Sequence, residues 1–196
     1  MESLKVSNLY FHFDSLTIFN NYSTELELGK IYALIGSSGV GKSTFAHLIS
    51  GHLTPDSGEI FLGNTKITKP SRDIFIVHQE DDLFPWLTVI QQLEFVGATS
   101  EVIEELLYIF KLQDSKNLYP YELSGGMKKR LALIRAELVG AKVLILDETL
   151  SSLNKSMLQD ILNEMIPRWK KKNTTVILIT HHLDEIKEYV ERVINF

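Results

Sequence analysis

The chain has 196 residues, of which 44% are apolar and 23% charged, with a formal net charge of −5 and no cysteine. That balance excludes a disordered chain, and the length suits one domain with a sizeable core. The missing cysteines exclude disulfides, thiolate nucleophiles and cysteine zinc sites and fit a reducing compartment. The acidic charge speaks against a nucleic-acid partner, which asks for a basic face.

Short strand-length runs recur from the N-terminus onward. Met1-Glu2-Ser3 lacks the basic start and apolar stretch of a secretory signal. Lys5–Phe13 and Glu59–Leu62, joined by turns such as Leu62-Gly63-Asn64, read as a small antiparallel layer. Ile31–Ile35, Ile74–Val77, Val143–Leu146 and Val176–Ile179 are β-branched or leucine-rich runs of the kind buried in parallel sheets. Helical spacing begins at Phe45–Ile49. It returns at Val102, Ile103, Leu106, Leu107 and Phe110 with Ser100 as N-cap, and again at Leu158, Ile161, Leu162, Met165 and Trp169. Pro167 is expected to kink or end that last helix. The segment 83–140 reads as helical. The basic runs Lys128-Lys129-Arg130 and Lys170-Lys171-Lys172 read as solvated helix faces. No apolar run reaches the roughly 20 residues a spanning helix needs, so a membrane role has to pass through a partner.

Between the run at Ile31–Ile35 and the helix at Phe45 stands Gly36-Ser37-Ser38-Gly39-Val40-Gly41-Lys42-Ser43-Thr44, which satisfies G-x-x-x-x-G-K-[ST]. Glycines let the backbone curl so that several N–H groups point inward at an anion. The following helix turns its positive end to the same place. Lys42 is placed to reach β- and γ-phosphates, and the Ser43 hydroxyl to ligate Mg²⁺. A bare glycine-rich turn is the alternative, made remote by the flanking strand and helix.

Three further groups sit at the carboxyl ends of strand-like runs, where ligands bind in open α/β sheets. Asp147-Glu148 follows Val143–Leu146: Asp147 suits the Mg²⁺ shell, and Glu148 suits a base that orients or deprotonates water. Thr180-His181-His182 follows Val176–Ile179, and His78-Gln79-Glu80 follows Ile74–Val77. Alone, each also reads as ordinary turn residues; together they point to one crevice.

Leu123-Ser124-Gly125-Gly126-Met127-Lys128-Lys129-Arg130, lying between the loop and Asp147, resembles the signature motif of ABC transporter ATP-binding subunits, and the likeness spans essentially the whole chain. The resemblance implies an α/β fold: a phosphate-loop NTPase core with a mostly parallel sheet (about 1–82 and 141–196), a small antiparallel β layer, and a compact helical signature subdomain (about 83–140). It implies ATP and Mg²⁺ as ligands, with Gln79 and Asp147 beside Ser43 at the metal. Glu148 is then the catalytic base, His181 the switch histidine, and Gln79 the residue that senses the transporter partner. Phe13 falls where an aromatic ring stacks on adenine, with Tyr10 or Phe11 as alternatives and a core role as another. No Asn-Lys-x-Asp guanine motif is present, which favours ATP over GTP. Ser124, Gly125 and Gly126 cap the γ-phosphate of an opposite subunit in the family. The expected partners are therefore a second ATP-binding subunit, taken as an identical copy, and an integral membrane permease, with this chain cytoplasmic and peripheral on the inner face of the cell membrane. A solute-binding protein is a further partner the likeness allows. Ile76–Val89 resembles importer subunits for nitrate, alkanesulfonates, taurine and thiamine precursors, with Leu83-Phe84-Pro85-Trp86-Leu87 beside the groove for the membrane subunit.

Three positions depart from the family pattern: Thr149 replaces the proline after Glu148, Asn154 replaces an aspartate at the dimer loop Ser151-Ser152-Leu153-Asn154, and His182 replaces an aspartate after the switch histidine. Asn154 keeps open a weakly hydrolysing regulatory cassette; a soluble non-transport ABC ATPase is the other alternative. The last residues, to Phe196, are expected to form a strand, and no C-terminal regulatory domain is expected.

Overall fold

The computed structural model describes residues 2–78, 83–151 and 153–196. Gln79 lies outside the described residues, as does Ser152 of the loop before Asn154.

The chain opens on a long antiparallel hairpin, β1 (Ser3–Phe13) and β2 (Leu16–Glu27). β4 (Ser57–Leu62) and the short β5 (Thr65–Lys66) complete a four-stranded sheet in the order β2-β1-β4-β5. This is the antiparallel layer expected from Lys5–Phe13 and Glu59–Leu62. β2 is an addition that no apolar run announces. It is an edge strand, and only Phe19 and Leu26 along it are buried.

The second sheet holds β3 (Ile31–Ile35), β6 (Ile74–Val77), β7 (Val143–Asp147), β8 (Thr175–Ile179) and β9 (Arg192–Asn195) in the order β6-β7-β8-β3-β9. Every pair is parallel. Its strands read as continuous apolar runs because both faces are covered. The period of two sorts them: Val143, Ile145, Ile177 and Ile179 face one core, and Leu144, Leu146, Val176 and Leu178 face the other. The first core is shared with the antiparallel sheet and helix α1 (Lys42–Ile49), which contributes Phe45, Ala46, Leu48 and Ile49.

The second core is closed by α2 (Val89–Glu94), α3 (Ser100–Ile109), α4 (Gly125–Val139) and α5 (Lys155–Lys171). α2 starts on a capping box between Thr88 and Gln91. The N-cap of α3 is Thr99; Ser100, expected in that role, is the first helical residue. Along α3 the expected stripe buries Ile103, Leu106 and Leu107, with Phe110 just beyond, but Val102 is exposed. α5 buries all five expected residues, Leu158, Ile161, Leu162, Met165 and Trp169. It does not end at Pro167 but runs on to Lys171. The proline and Asn163, the residue whose carbonyl loses its i+4 donor, are both exposed, so water can satisfy that carbonyl. No helix among the described residues is long and apolar enough to cross a membrane.

Lys170, Lys171 and Lys172 are exposed, as a solvated helix face is, whereas the run at Lys128, Lys129 and Arg130 is half-buried. Arg130 is half-buried and donates to the carbonyls of Gly126, Phe110 and Lys111 at 3.2, 2.7 and 3.2 Å. Lys172 pairs with the buried Glu137, which also accepts from Trp169 Nε1 at 2.8 Å, and Lys170 pairs with Glu191. These bonds tie Arg130 into the fold, while Lys170, Lys171 and Lys172 keep an exposed helix face.

Candidate functional site

The phosphate loop leaves β3 and enters α1 at Lys42. Gly39 and Gly41 take φ values of 77° and 111°, open to glycine at little cost. A side chain at Gly41 would also meet Ile18 Cγ2 at 2.6 Å, so β2 is pressed against the loop. Gly41 is the N-cap of α1, which leaves the first-turn N–H groups of the helix directed at the loop's interior. Lys42 is buried, and its ammonium donates to the carbonyls of Gly36 and Ser37 at 3.0 and 2.9 Å. The cation is thus already held over the loop. Ser43 is exposed in the first turn beside it, and Ser37, Ser38 and Gly39 line the open side.

Asp147 is the last residue of β7 and is nearly buried. Glu148 follows with φ 51°, a left-handed conformation that costs a non-glycine residue about 1–2 kcal/mol. The turn is held on both sides: Glu148 N–H donates to Ile179 O at 3.0 Å, and Ser151 Oγ donates to Glu148 O at 2.6 Å. Glu148 Oε1 lies 2.8 Å from His181 Nε2. The neighbouring His182 instead starts a short helix, α6 (Leu183–Ile186), its N–H bound to Thr180 Oγ1 at 3.0 Å. Of the two histidines, His181 is the one brought to Glu148.

Ser43 and Asp147 offer a hydroxyl and a carboxylate, hard oxygen donors of the kind Mg²⁺ prefers. Among the described residues no cluster of three or more His, Cys, Asp or Glu forms an all-protein cage. Mg²⁺ carried by nucleotide phosphates needs only one or two protein ligands. The residues present therefore fit a nucleotide-borne ion.

For the adenine ring, the three aromatic candidates separate by burial. Phe11 is 6% exposed and belongs to the core, whereas Phe13 is 48% exposed and rests edge-on against Phe11, with centroids 4.8 Å apart. Tyr10 is half-buried beside His12. Phe13 pairs with Leu16 at the hairpin end, two positions before Ile18 on the strand that touches the loop.

Ser124 is the N-cap of α4; its hydroxyl accepts from Met127 N–H at 3.3 Å. Among the described residues nothing lies within 4 Å of where a side chain would grow from Gly125 or Gly126. Ser124 and Gly125 are exposed, and among the described residues no hydrogen bond joins this turn to the phosphate loop. Asn154 likewise caps α5, its Oδ1 accepting from Met157 N–H at 2.9 Å.

Two features of the fold leave no local signal in the sequence. By sequence Arg130 is one of three adjacent cations, and only the fold brings the end of α3 to it. His47, His52 and His78 gather into one cluster, with His47 stacked on His78 at 5.2 Å and 21°. Burial, then the repulsion of His78, pushes the His47 and His52 pKa values below 6.5; Asp147 acts weakly in the other direction on His47. With folded values lowered, the unfolded chain takes the proton first. The stability contributed by the neutral rings is complete above about pH 6.5 and is lost as pH falls below it. Acidification from about pH 7 to about pH 5 is expected to lower the Tm, less steeply in His47→Gln and His52→Gln. Equal slopes in calorimetric melts of wild type and variants would assign the acid sensitivity elsewhere.

A cavity of about 650 Å³ opens beside this cluster, lined among others by His52, Arg72, Phe75, His78, Phe95 and Arg135. At its rim Phe84 contacts Trp86 and Phe95, and the Arg135 guanidinium lies 4.9 Å from the Phe84 ring centre. Trp86 and Phe95 are 69% and 71% exposed. Of the expected Leu83–Leu87 stretch, Leu83 packs against the core, Phe84 packs on the cavity-lining Phe95 and Arg135, and Trp86 packs on Phe84.

A family model described as "ABC transporter" matches residues 19–151. The chain is 33% identical to a taurine import ATP-binding protein, TauB, of Roseobacter denitrificans, over 99% of this chain and 77% of that protein. It is 37% identical to an aliphatic sulfonates import ATP-binding protein, SsuB, of Bacillus subtilis, over 86% of this chain and 68% of that protein. Among solved structures, it superimposes on a bacterial Atm1-family ABC exporter with ATP bound (TM-score 0.86, 26% identity), covering 96% of this chain and 36% of the exporter. It also matches the ADP conformation of an ATP-binding cassette of an ABC transporter (TM-score 0.83, 25% identity), covering 100% of this chain and 87% of that one.

Proposed function

This chain belongs to the ABC transporter family, and we propose that within it the chain hydrolyses Mg²⁺-bound ATP to drive a small-solute importer. The observation that carries the reading is the meeting, at the carboxyl ends of β3, β7 and β8, of the Lys42 loop, Asp147 and the Glu148–His181 pair. The relatives named above for taurine and sulfonate import favour import of a small solute over export.

In this reading the loop amides from Gly36 to Gly41 and Lys42 hold the phosphates, with Phe13 against the adenine. The Ser43 hydroxyl and Asp147 carboxylate hold the Mg²⁺, which when bound neutralises charge developing on the β- and γ-phosphate oxygens. Gln79 is assigned to the same ion by the family pattern. Glu148 takes a proton from the attacking water as a general base, and its carboxylate is kept in place by the His181 ring. His181 also reaches toward the γ-phosphate, as the resemblance implies.

Ser124, Gly125 and Gly126 supply a hydroxyl and N–H groups to the nucleotide on a second ATP-binding subunit, taken as an identical copy. A lone chain then has half of each site. Residues 83–140 act as the helical subdomain that carries this turn. The cavity and its Phe84, Trp86 and Phe95 rim receive a segment of an integral membrane permease, which holds the chain at the cytoplasmic face of the membrane. A solute-binding protein completes an importer. The test is affinity extraction of the tagged chain from native membranes: an integral membrane protein in fixed stoichiometry supports the reading. A chain recovered only from the soluble fraction favours a non-transport ATPase instead.

Asn154 supports a second, weaker-motor reading, because the family's aspartate carries a charge across the dimer that an amide lacks. Asn154→Asp keeps the helix cap and is expected to raise the ATPase rate at unchanged stability, whereas Asn154→Ala is expected to cost roughly 1 kcal/mol of stability. An unchanged rate in the aspartate variant would remove the idea that Asn154 slows this protein.

A further inference from the structure

β6 and β7 are neighbouring parallel strands whose last matched pair is Val77 with Leu146. Past that pair one chain turns off at His78, while the other runs on through Asp147 and Glu148 to Thr149. Thr149 is fully buried. Its Oγ1 lies 3.1 Å from the Val77 carbonyl and 3.3 Å from that of Asp147. A hydroxyl has one hydrogen, so the shorter contact is its main bond, and that bond crosses from the residue after Glu148 to the end of β6. The bond is unavailable to proline, which has neither hydroxyl nor N–H.

The residue it abuts is the strained one. Glu148 sits at φ 51°, and a residue in that region persists only where its surroundings over-determine it. On the β8 side its N–H is bound to Ile179, and behind it the Ser151 hydroxyl is bound to its carbonyl. Thr149 adds the tie on the β6 side.

We propose that Thr149 is a positioning residue whose hydroxyl holds the Asp147–Glu148 turn at a fixed offset from the end of β6, keeping the Glu148 carboxylate aimed at His181. The proposal rests on the reading of Glu148 as the base that serves bound ATP. Among the described residues Thr149 bonds to Val77 and Asp147 and not to the phosphate loop, so its loss acts on turnover and not on nucleotide binding.

The test compares Thr149→Val, which keeps the shape and removes the hydroxyl, with Thr149→Ser, which keeps the hydroxyl. Both are made in the complex extracted from membranes with this chain. Two readouts are taken: kcat and KM for ATP, and amide hydrogen exchange at residues 75–77 and 147–151 without nucleotide. The valine variant is expected to lose about tenfold in kcat, within the range a small misplacement of a reacting group produces. Its KM stays within about twofold, and exchange at the turn is faster. The serine variant is expected to restore kcat and slow exchange together. Wild-type kcat and exchange in the valine variant would overturn the proposal, as would a loss that serine does not rescue or a KM that worsens in step with kcat. A wild-type complex without hydrolysis counts against the functional reading instead. The exchange comparison then still decides the clamp: faster exchange in valine alone supports it, and equal exchange overturns it.

Discussion

Glu148→Gln is expected to lower ATP turnover by roughly 10² to 10⁴-fold, the range for loss of a general base, while ATP still binds. The substitution is nearly isosteric and leaves both backbone bonds of the turn in place, Glu148 N–H to Ile179 and Ser151 to the Glu148 carbonyl. An amide oxygen can still face His181 Nε2 across the present 2.8 Å, so the ring stays oriented. What is lost is the capacity to take a proton. Turnover, measured as single-turnover phosphate release, should fall without a matching change in ATP affinity. A variant that keeps wild-type turnover would assign proton removal to another group. One that loses affinity in proportion would make Glu148 a binding residue.

Lys42→Ala should act on the other half of the chemistry and abolish tight nucleotide binding. In this structure the ammonium is buried and pinned to two loop carbonyls, Gly36 and Ser37, so it meets the phosphates without first being ordered. Hydrogen bonds to a charged group are worth about 1.5–3 kcal/mol each. Losing the ammonium's contacts to the β- and γ-phosphates, taken as two such bonds, corresponds to roughly 10²-fold or more in affinity. Titration of a fluorescent ATP analogue reads this directly. Lys42→Arg is expected to rescue poorly, since a guanidinium fork does not fit between two carbonyls that hold a point charge. Unchanged affinity in the alanine variant would mean that the loop binds through its amides alone.

These two residues were legible in the chain because their signals are local. Glycine spacing around Lys42 is a code for a curled backbone, and four apolar residues before Asp147 mark a buried strand whose end carries an acid. The α5 stripe was equally plain, since burial of one face writes itself at helical spacing. The site's long-range parts left weaker traces. β2 is a half-exposed edge strand whose two buried residues make no run, yet its Ile18 closes the loop at Gly41. Arg130 is told from its neighbours only by α3 ending beside it. Adjacent histidines at 181 and 182 are equivalent on paper; the backbone turn into α6 separates them. Thr149 could be noticed as a departure, but the use of its hydroxyl depends on β6 lying next to β7, which local spacing does not encode.

The most direct test of the account is phosphate release by the membrane-extracted complex of this chain, reconstituted in vesicles with Mg²⁺ and ATP. Sustained hydrolysis that disappears with Glu148→Gln, and that is far faster than in the isolated chain, is the predicted result. Hydrolysis equal in the isolated chain and in the complex, or unaffected by Glu148→Gln, would contradict the account of a motor subunit whose ATP site is completed by a partner.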